Sequence, residues 1–297
     1  MPVEKVAVTI DGNTVEDLLL AYEVVGDSGR TWALTPGGRF SMDYPGVREL
    51  AVGLADLGNR VLLYDRPNTG ASDVCFTGRT ESGMQADALA ALVAHLGLAP
   101  ARIIGGSGGA RVSLLVANRH PGLTSGLAVW WMSGGAFGLL TVGTGYCAEP
   151  IRVAWNGGMQ AVVDLPNNVQ GNFQEQMGRN PQNRAKLLDQ DPKAFIATME
   201  RWLLAYCPCS DTIPGVTDAE LQAMTVPSLV FRGGESDMFH TRATSEKLAR
   251  LLPNSNLIEP PWGDREWVDS KLGQRFVSWP RLAPILHDWA QQTLTPA

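Results

Sequence analysis

The amino-acid sequence predicts an α/β fold built on a mostly parallel, doubly wound sheet. Short apolar runs such as Arg60–Tyr64 and Gly126–Met132 are continuous rather than alternating, as expected of strands covered on both faces. Segments with apolar residues three and four positions apart separate these runs, which is typical of helices that bury one face. Strands that alternate with helices in this way indicate a parallel sheet between two helical layers.

The first 132 residues supply most of the predicted sheet. Lys5–Ile10 and Leu18–Val25 predict two strands, with turn-forming residues 11–13 between them. Residues 45–57 predict a helix because their apolar side chains share one face, and Gly58 follows as a helix stop. The other elements predicted here are strands Thr31–Thr35, Arg60–Tyr64, Arg102–Ile104 and Gly126–Met132, and helices Met84–Leu98 and Ala110–Arg119.

The pattern changes between residues 133 and 224. Glycine, asparagine and proline recur there, helical pieces such as Lys193–Tyr206 occur, and no clear buried strand is present. We therefore predict a core of residues 1–132 and 225–297 with a helical cap inserted at 133–224. The later core elements are strands Val226–Arg232 and Asn256–Glu259, and helices Thr244–Leu252 and Trp279–Thr293.

Composition excludes several classes of partner. The chain has 297 residues, with 24 Lys and Arg against 30 Asp and Glu, a formal net charge of −6 that disfavours nucleic acid or an anionic membrane. No run of about 18 apolar residues predicts a membrane span, and the N-terminus lacks the pattern of a secretory signal. The four cysteines are too scattered for a disulfide framework or a metal site. We expect free thiols, a cytoplasmic location, no metal and no cofactor; oligomeric state is not predicted.

The segment Gly105–Gly109 carries the clearest chemical signal. It reads Gly-Gly-Ser-Gly-Gly, follows a predicted strand and precedes a predicted helix. A serine on such a sharp strand-to-helix turn exposes its hydroxyl beside the free N–H groups of the helix. Glycine suits the flanking positions because the turn needs strained backbone angles and close strand–helix packing. Ser107 is therefore the candidate nucleophile.

These features together resemble the α/β hydrolases with a helical cap. In that family the serine of the strand-to-helix turn is the nucleophile, an acid follows a later strand, and a histidine follows the last strand. The resemblance implies an α/β-hydrolase sheet with an inserted cap, Ser107 as nucleophile and Asp237 as the acid. It covers nearly the whole chain and rests on Gly105–Gly109, the loop Asp65–Ser72, the turn Pro36–Gly38 and the segment Gly234–Asp237.

Backbone groups around the serine are predicted to stabilise a developing oxyanion. The N–H of Gly108 follows the nucleophile, and the loop after the third strand offers a second donor from Gly37, Gly38 or Arg39. This loop reads Pro36-Gly37-Gly38 where the family often has His-Gly. Backbone donors do not depend on that histidine, so the oxyanion site is still expected.

The general base has two candidates. The family pattern places a histidine after the last strand, but residues 259–267 contain none, and Asp264 beside Gly263 occupies its place. Asp264 would need a raised pKa to act as a base near neutral pH. His240, three residues after Asp237 on the same loop, is the other candidate. His95 and His287 fall on predicted helices, His120 follows the end of one, and none of the three is assigned a catalytic role.

The sequence predicts a small, apolar or aromatic substrate, with Arg39, Trp131 and Trp262 as candidate binding residues. The leading hypothesis is a cofactor-independent serine hydrolase that cleaves an ester, a lactone or a carbon–carbon bond next to a carbonyl. A serine nucleophile disfavours haloalkane and epoxide opening through an alkyl-enzyme ester. Two alternatives stay open: a lyase or isomerase using the same pocket, and a ligand-binding protein that has lost its base.

Overall fold

The computed structural model describes residues 2–293, and the predicted core residues 1 and 294–297 lie outside the described residues. One eight-stranded sheet runs through this part of the chain. Its strands are β1 (Val3–Ile10), β2 (Asn13–Val25), β3 (Thr31–Thr35), β4 (Arg60–Tyr64), β5 (Ala101–Gly106), β6 (Thr124–Trp130), β7 (Ser228–Phe231) and β8 (Ser255–Ile258).

The sheet order is β1-β2-β4-β3-β5-β6-β7-β8. Pairing from β4 through β8 is parallel, whereas β1 with β2 and β2 with β4 pair antiparallel. The predicted mostly parallel, doubly wound sheet is therefore confirmed. β2 begins at Asn13 rather than at Leu18, because Thr14 and Val15 continue the ladder with Thr9 and Val8.

Twelve α-helices accompany the sheet within residues 2–293. They are α1 (Val47–Asp56), α2 (Glu81–His95), α3 (Gly108–Arg119), α4 (Gly135–Gly143), α5 (Glu149–Val163), α6 (Gln174–Arg179), α7 (Gln182–Leu188), α8 (Pro192–Ala205), α9 (Asp218–Ala223), α10 (Arg242–Leu251), α11 (Glu266–Asp269) and α12 (Leu282–Gln292). α2 begins three residues before the predicted Met84, because Thr80 caps it by accepting from the N–H of Gly83 at 2.9 Å.

Hydrophobic cores lie on both faces of the sheet. Side chains of α2 and α3 form the core on one face, and side chains of α1 and α12 form the core on the other. β5 is buried along its whole length between these layers. Its continuous apolar character thus reflects cover on both sides, as expected for the central strand of a parallel sheet.

Helices α4–α9 occupy the segment that the sequence assigns to a cap. β6 and β7 pair directly despite this long insertion, with Leu127 opposite Ser228. Phe76, on the loop after β4, packs its ring 5.1 Å from Phe195 and 5.7 Å from Phe173 of the insertion. Phe173 and Phe195 are buried, and full burial of such a ring contributes about 1.5–3 kcal/mol, which stabilises the packing of the inserted helices against the loop after β4.

The parallel strands end at one edge of the sheet, directly below the inserted helices. The loops that follow β3, β5, β6 and β7 meet at this edge, which is where open α/β sheets bind ligands. The four cysteines are free thiols, and no helix in residues 2–293 has the length and apolar character needed to cross a membrane.

Candidate active site

Ser107 occupies a strained turn between β5 and α3. Its backbone has φ 56° and ψ −120°, an unusual conformation for a residue with a side chain. The neighbouring glycines make room for the turn. A Cβ on Gly109 would lie 2.1 Å from the Thr35 carbonyl oxygen, and a Cβ on Gly106 would lie 2.3 Å from Trp130 Nε1. The motif thus projects the serine hydroxyl from the end of the central strand.

A hydrogen-bonded chain connects Ser107 to His240 and Asp237. His240 Nε2 lies 2.9 Å from Ser107 Oγ, and His240 Nδ1 lies 3.0 Å from Asp237 Oδ2. All three side chains are buried. Because Nδ1 donates to the carboxylate, Nε2 is left to accept the proton of the serine hydroxyl.

Asp237 is held by the loop that also carries His240. Its Oδ1 accepts from the backbone N–H of Phe239 at 2.9 Å and of His240 at 3.0 Å. Burial by itself would raise the pKa of Asp237, but the hydrogen bonds and charge of His240, with these two N–H groups, outweigh burial and lower that pKa. The carboxylate therefore stays ionised at neutral pH and fixes the orientation of the imidazole.

Asp264, the other predicted base, lies elsewhere. Its side chain is exposed, does not line the cavity beside Ser107, and accepts from the N–H of Ser236 at 3.1 Å. Hydrogen bonds from Ser236 lower the pKa of Asp264, whereas a base near neutral pH needs a raised one. This corrects the hypothesis of Asp264 as the base: the loop after β8 buttresses the loop after β7 and does not reach the serine.

The predicted oxyanion donors lie close to each other. A Cβ on Gly108 would be 3.2 Å from the backbone nitrogen of Gly38, and the N–H groups of these two residues donate to no other group within residues 2–293. Gly37 packs against the serine, since its Cβ would lie 3.1 Å from Ser107 Cβ. Arg66 holds this loop in place by donating to the carbonyls of Gly38 at 2.7 Å and Gly37 at 3.3 Å.

A cavity of about 310 Å³ opens beside Ser107 and His240. Residues of the core loops and of the inserted helices line it, and they include arginines, tyrosines and glutamines. Arg39, a predicted binding residue, lines this cavity. The large apolar side chains that line it are Phe40, Val142, Phe239, Trp267 and Leu272.

Trp131 and Trp262 do not line the cavity, which corrects their prediction as binding residues. Trp131 lies behind the histidine, with its ring stacked 6.0 Å from the ring of His240, and Trp262 packs on Trp131 at 5.1 Å. Trp131 is buried at the point where the chain leaves β6 with a φ of 47°, and Trp262 is half-buried against the core. Trp267 lines the cavity instead and meets His240 edge-to-face at 4.6 Å.

Sequence reasoning does not identify several polar residues of the cavity, Ser133 and Arg111 among them. Ser133 Oγ lies 3.4 Å from Ser107 Oγ, and nothing in its local sequence sets it apart. Arg111 lines the cavity from α3. The sequence contains a signal for Arg111, because a charged residue four positions after the candidate nucleophile, on a helix packed against the sheet, needs a partner.

No protein-family model and no curated protein matches this sequence. Solved structures do match over nearly the whole chain. A thermophilic esterase from Thermogutta terrifontis has a TM-score of 0.61 at 19% identity, covering 99% of this chain and 100% of that one. An enol-lactonase from Burkholderia xenovorans has a TM-score of 0.57 at 18% identity, covering 96% and 99%. A meta-cleavage product hydrolase from Pseudomonas fluorescens has a TM-score of 0.57 at 16% identity, covering 97% and 98%.

These similarities establish the fold of the chain: it is that of the α/β hydrolases. The serine turn, the parallel sheet and the helical insertion between β6 and β7 all agree with that class. At such low sequence identities the similarity extends to the architecture and not to an activity.

Proposed function

We propose that this protein is a cofactor-independent serine hydrolase acting on a small carbonyl compound. The observation that carries the proposal is the buried chain Ser107–His240–Asp237, with contacts of 2.9 Å and 3.0 Å. A serine hydroxyl is a weak nucleophile at neutral pH and needs an adjacent base, which is what this geometry supplies.

In the first half of the proposed reaction, Ser107 Oγ attacks the carbonyl carbon of the substrate. His240 Nε2 takes the hydroxyl proton as the Oγ–carbon bond forms, and the ionised Asp237 stabilises the resulting imidazolium. The carbonyl oxygen becomes an oxyanion, for which the N–H groups of Gly108 and Gly38 are the proposed donors. Loss of one such donor typically costs about 3 kcal/mol of transition-state stabilisation.

In the second half, the tetrahedral intermediate collapses to an acyl-enzyme. His240 gives its proton to the leaving group, which departs from the cavity. A water molecule then enters, His240 accepts one of its protons, and hydroxide attacks the acyl carbon. Ser107 is regenerated when the carbon–Oγ bond breaks and His240 returns the proton to the serine.

The same residues suit an ester, a lactone or a carbon–carbon bond next to a carbonyl. The cavity volume of about 310 Å³ favours a small molecule, and the named activities of the similar structures, an esterase, an enol-lactonase and a meta-cleavage product hydrolase, all involve carbonyl substrates. The binding-protein alternative depends on the absence of a base, and the distance of 2.9 Å between His240 Nε2 and Ser107 Oγ favours the hydrolase over it.

Covalent labelling with a fluorophosphonate tests the proposal directly, because this probe reacts with activated serines. We expect the wild-type protein to be labelled, S107A to lose the label, and S125A, a substitution of an exposed serine, to keep it. A panel of aryl esters and lactones then identifies the bond that is cleaved. Absence of labelling in the folded wild-type protein across pH 6–9 would refute the nucleophile assignment.

A further inference from the structure

The charge of the cavity differs from that of the whole protein. The chain has a formal net charge of −6. By contrast, the side chains lining the cavity that are charged at neutral pH, leaving His240 aside, are four arginines and one carboxylate. The arginines are Arg39, Arg66, Arg111 and Arg275, and the carboxylate is Glu81. Such an excess of positive charge beside a nucleophile needs a structural or a ligand-based explanation.

Arg66 has a structural explanation. Its Nη2 donates to the carbonyls of Gly37, Gly38 and Phe40, so the guanidinium shapes the loop beside Ser107. Arg275 lies at the rim, where Nη1 donates to the carbonyl of Trp267 at 2.7 Å. These two arginines are engaged with the protein itself.

Arg39 is engaged less completely, through one ion pair with Glu81. Its side chain is 9% exposed, and Nε, Nη1 and Nη2 make no hydrogen bond within residues 2–293. Nη2 lies 3.1 Å from Glu81 Oε1, but the two groups are not aligned for a hydrogen bond. The guanidinium carbon lies 4.8 Å from the ring centroid of Tyr146 and 5.4 Å from that of Phe173, and Glu81 is the carboxylate paired with this group.

Arg111, on α3, is also buried beside the cavity. It is 3% exposed, forms no ion pair within the described chain, and its Nε has no hydrogen-bond acceptor there. The ring of Tyr206 lies 4.6 Å from its guanidinium carbon. Glu81 can balance only one of the two guanidinium groups, so one positive charge in the buried wall is left uncompensated.

We propose that Arg39 and Arg111 form a subsite for a carboxylate of the substrate, a proposal that rests on the hydrolase function proposed above. Buried donors without acceptors are costly to a folded protein, and a guanidinium meets a carboxylate with two parallel N–H···O bonds. A substrate that carries the scissile carbonyl at Ser107 and a carboxylate at this subsite satisfies both features of the cavity. The substrate class is then an ester or other cleavable carbonyl compound with a free carboxylate.

Matched substrates test the subsite. Mono-4-nitrophenyl esters of glutaric, adipic and suberic acid carry a free carboxylate at increasing distance from the ester. Their methyl-capped counterparts differ by the loss of the negative charge and the addition of one methyl group. We expect kcat/KM for at least one half-ester to exceed that of its capped counterpart by about tenfold or more, as for an interaction with a charged group.

Variants connect this preference to the two arginines. We expect R39Q and R111Q each to reduce the ratio of the two kcat/KM values by about tenfold, with partial recovery in R39K. The ratio cancels a general effect of these substitutions on catalysis. R184Q, which removes an exposed arginine of the insertion, serves as the matched control and keeps the wild-type ratio.

The outcomes separate the two proposals. Fluorophosphonate labelling of Ser107 with equal turnover of charged and capped esters would overturn the subsite and leave the hydrolase proposal standing. If neither labelling nor turnover occurs, the hydrolase proposal fails, and calorimetric titration of glutarate into the wild-type protein decides the subsite alone. Binding that is at least about tenfold weaker in R39Q supports the subsite; absence of binding to the wild-type protein overturns it.

Discussion

The loops after β7 and β8 leave neighbouring parallel strands but have different environments. The loop after β7 buries an acid and a base three residues apart, Asp237 and His240, and directs the imidazole at Ser107. The loop after β8 is where the α/β hydrolases that the sequence resembles carry their histidine. Asp264 on this loop is exposed and does not line the cavity. We therefore propose His240 as the base because its side chain reaches the serine, although it does not follow the last strand.

The second loop supports the first. Asp264 accepts from the N–H of Ser236, and a Cβ on Gly234 would lie 2.0 Å from the Asp264 carbonyl oxygen, so the two loops are in close contact. Glu259, just after β8, pairs with Arg232 and Arg242 on either side of the first loop. The loop that carries both proposed catalytic partners of Ser107 gains rigidity from this support.

The largest expected difference between the loops is catalytic. We expect H240A to reduce kcat by about 10⁴-fold or more on any ester that the protein hydrolyses, since Ser107 loses its proton acceptor. D264A removes an exposed carboxylate and is expected to keep kcat near the wild-type value. Steady-state kinetics with circular dichroism as a folding control measure both. A large loss in D264A with full activity in H240A would reverse the assignment of the base.

The architecture could be predicted because it depends on local signals. Continuous apolar strands, one-faced helices and the glycines around Ser107 each follow from packing rules that operate within a few residues. The close approach of Gly109 to Thr35, with a Cβ at 2.1 Å, is the physical reason for that part of the motif. Asp237 and His240 could be proposed as partners from their three-residue spacing on one loop.

The wall of the cavity could not be predicted because it depends on contacts between distant segments. Trp131 and Trp262 share an aromatic character with Trp267, but the turn after β6 directs Trp131 into the core, and only Trp267 lines the cavity. The pairing of Arg39 with Glu81 joins residues 42 positions apart on different elements. Nothing in either local sequence specifies that contact.

A smaller difference is expected between two tryptophans that flank the loop after β8. Trp267 meets His240 edge-to-face at 4.6 Å, whereas Trp262 packs on Trp131. We expect W267A to lower kcat by about 10-fold, because a displaced imidazole misaligns the proton transfer, and W267F to recover part of it. W262A is expected to change kcat less.

The measurement for these tryptophan variants is kcat and KM with one ester substrate. A role of Trp267 in substrate contact alone would raise KM and leave kcat unchanged, which would contradict the positioning role. Equal losses of kcat in W267A and W262A would show that the aromatic cluster acts through general packing instead.

The smallest expected effect concerns the pH dependence of stability. The pKa of Asp237 is lowered because hydrogen bonds from His240, with two backbone N–H groups, outweigh the effect of burial; hydrogen bonds from Ser236 lower the pKa of Asp264. A carboxylate with a lowered pKa stabilises the folded state at pH values above its ordinary pKa of about 4, and this contribution is lost as pH falls through the folded-state pKa.

D237N should therefore lower the free energy of unfolding, relative to wild type, by more at pH 5 than at pH 2.5. The loss of unfolding free energy caused by D264N should differ less between the two pH values, because solvent screens the exposed carboxylate. Urea unfolding at both pH values measures these differences, and an equal pH response of the two variants would contradict the contrast between the buried Asp237 and the exposed Asp264.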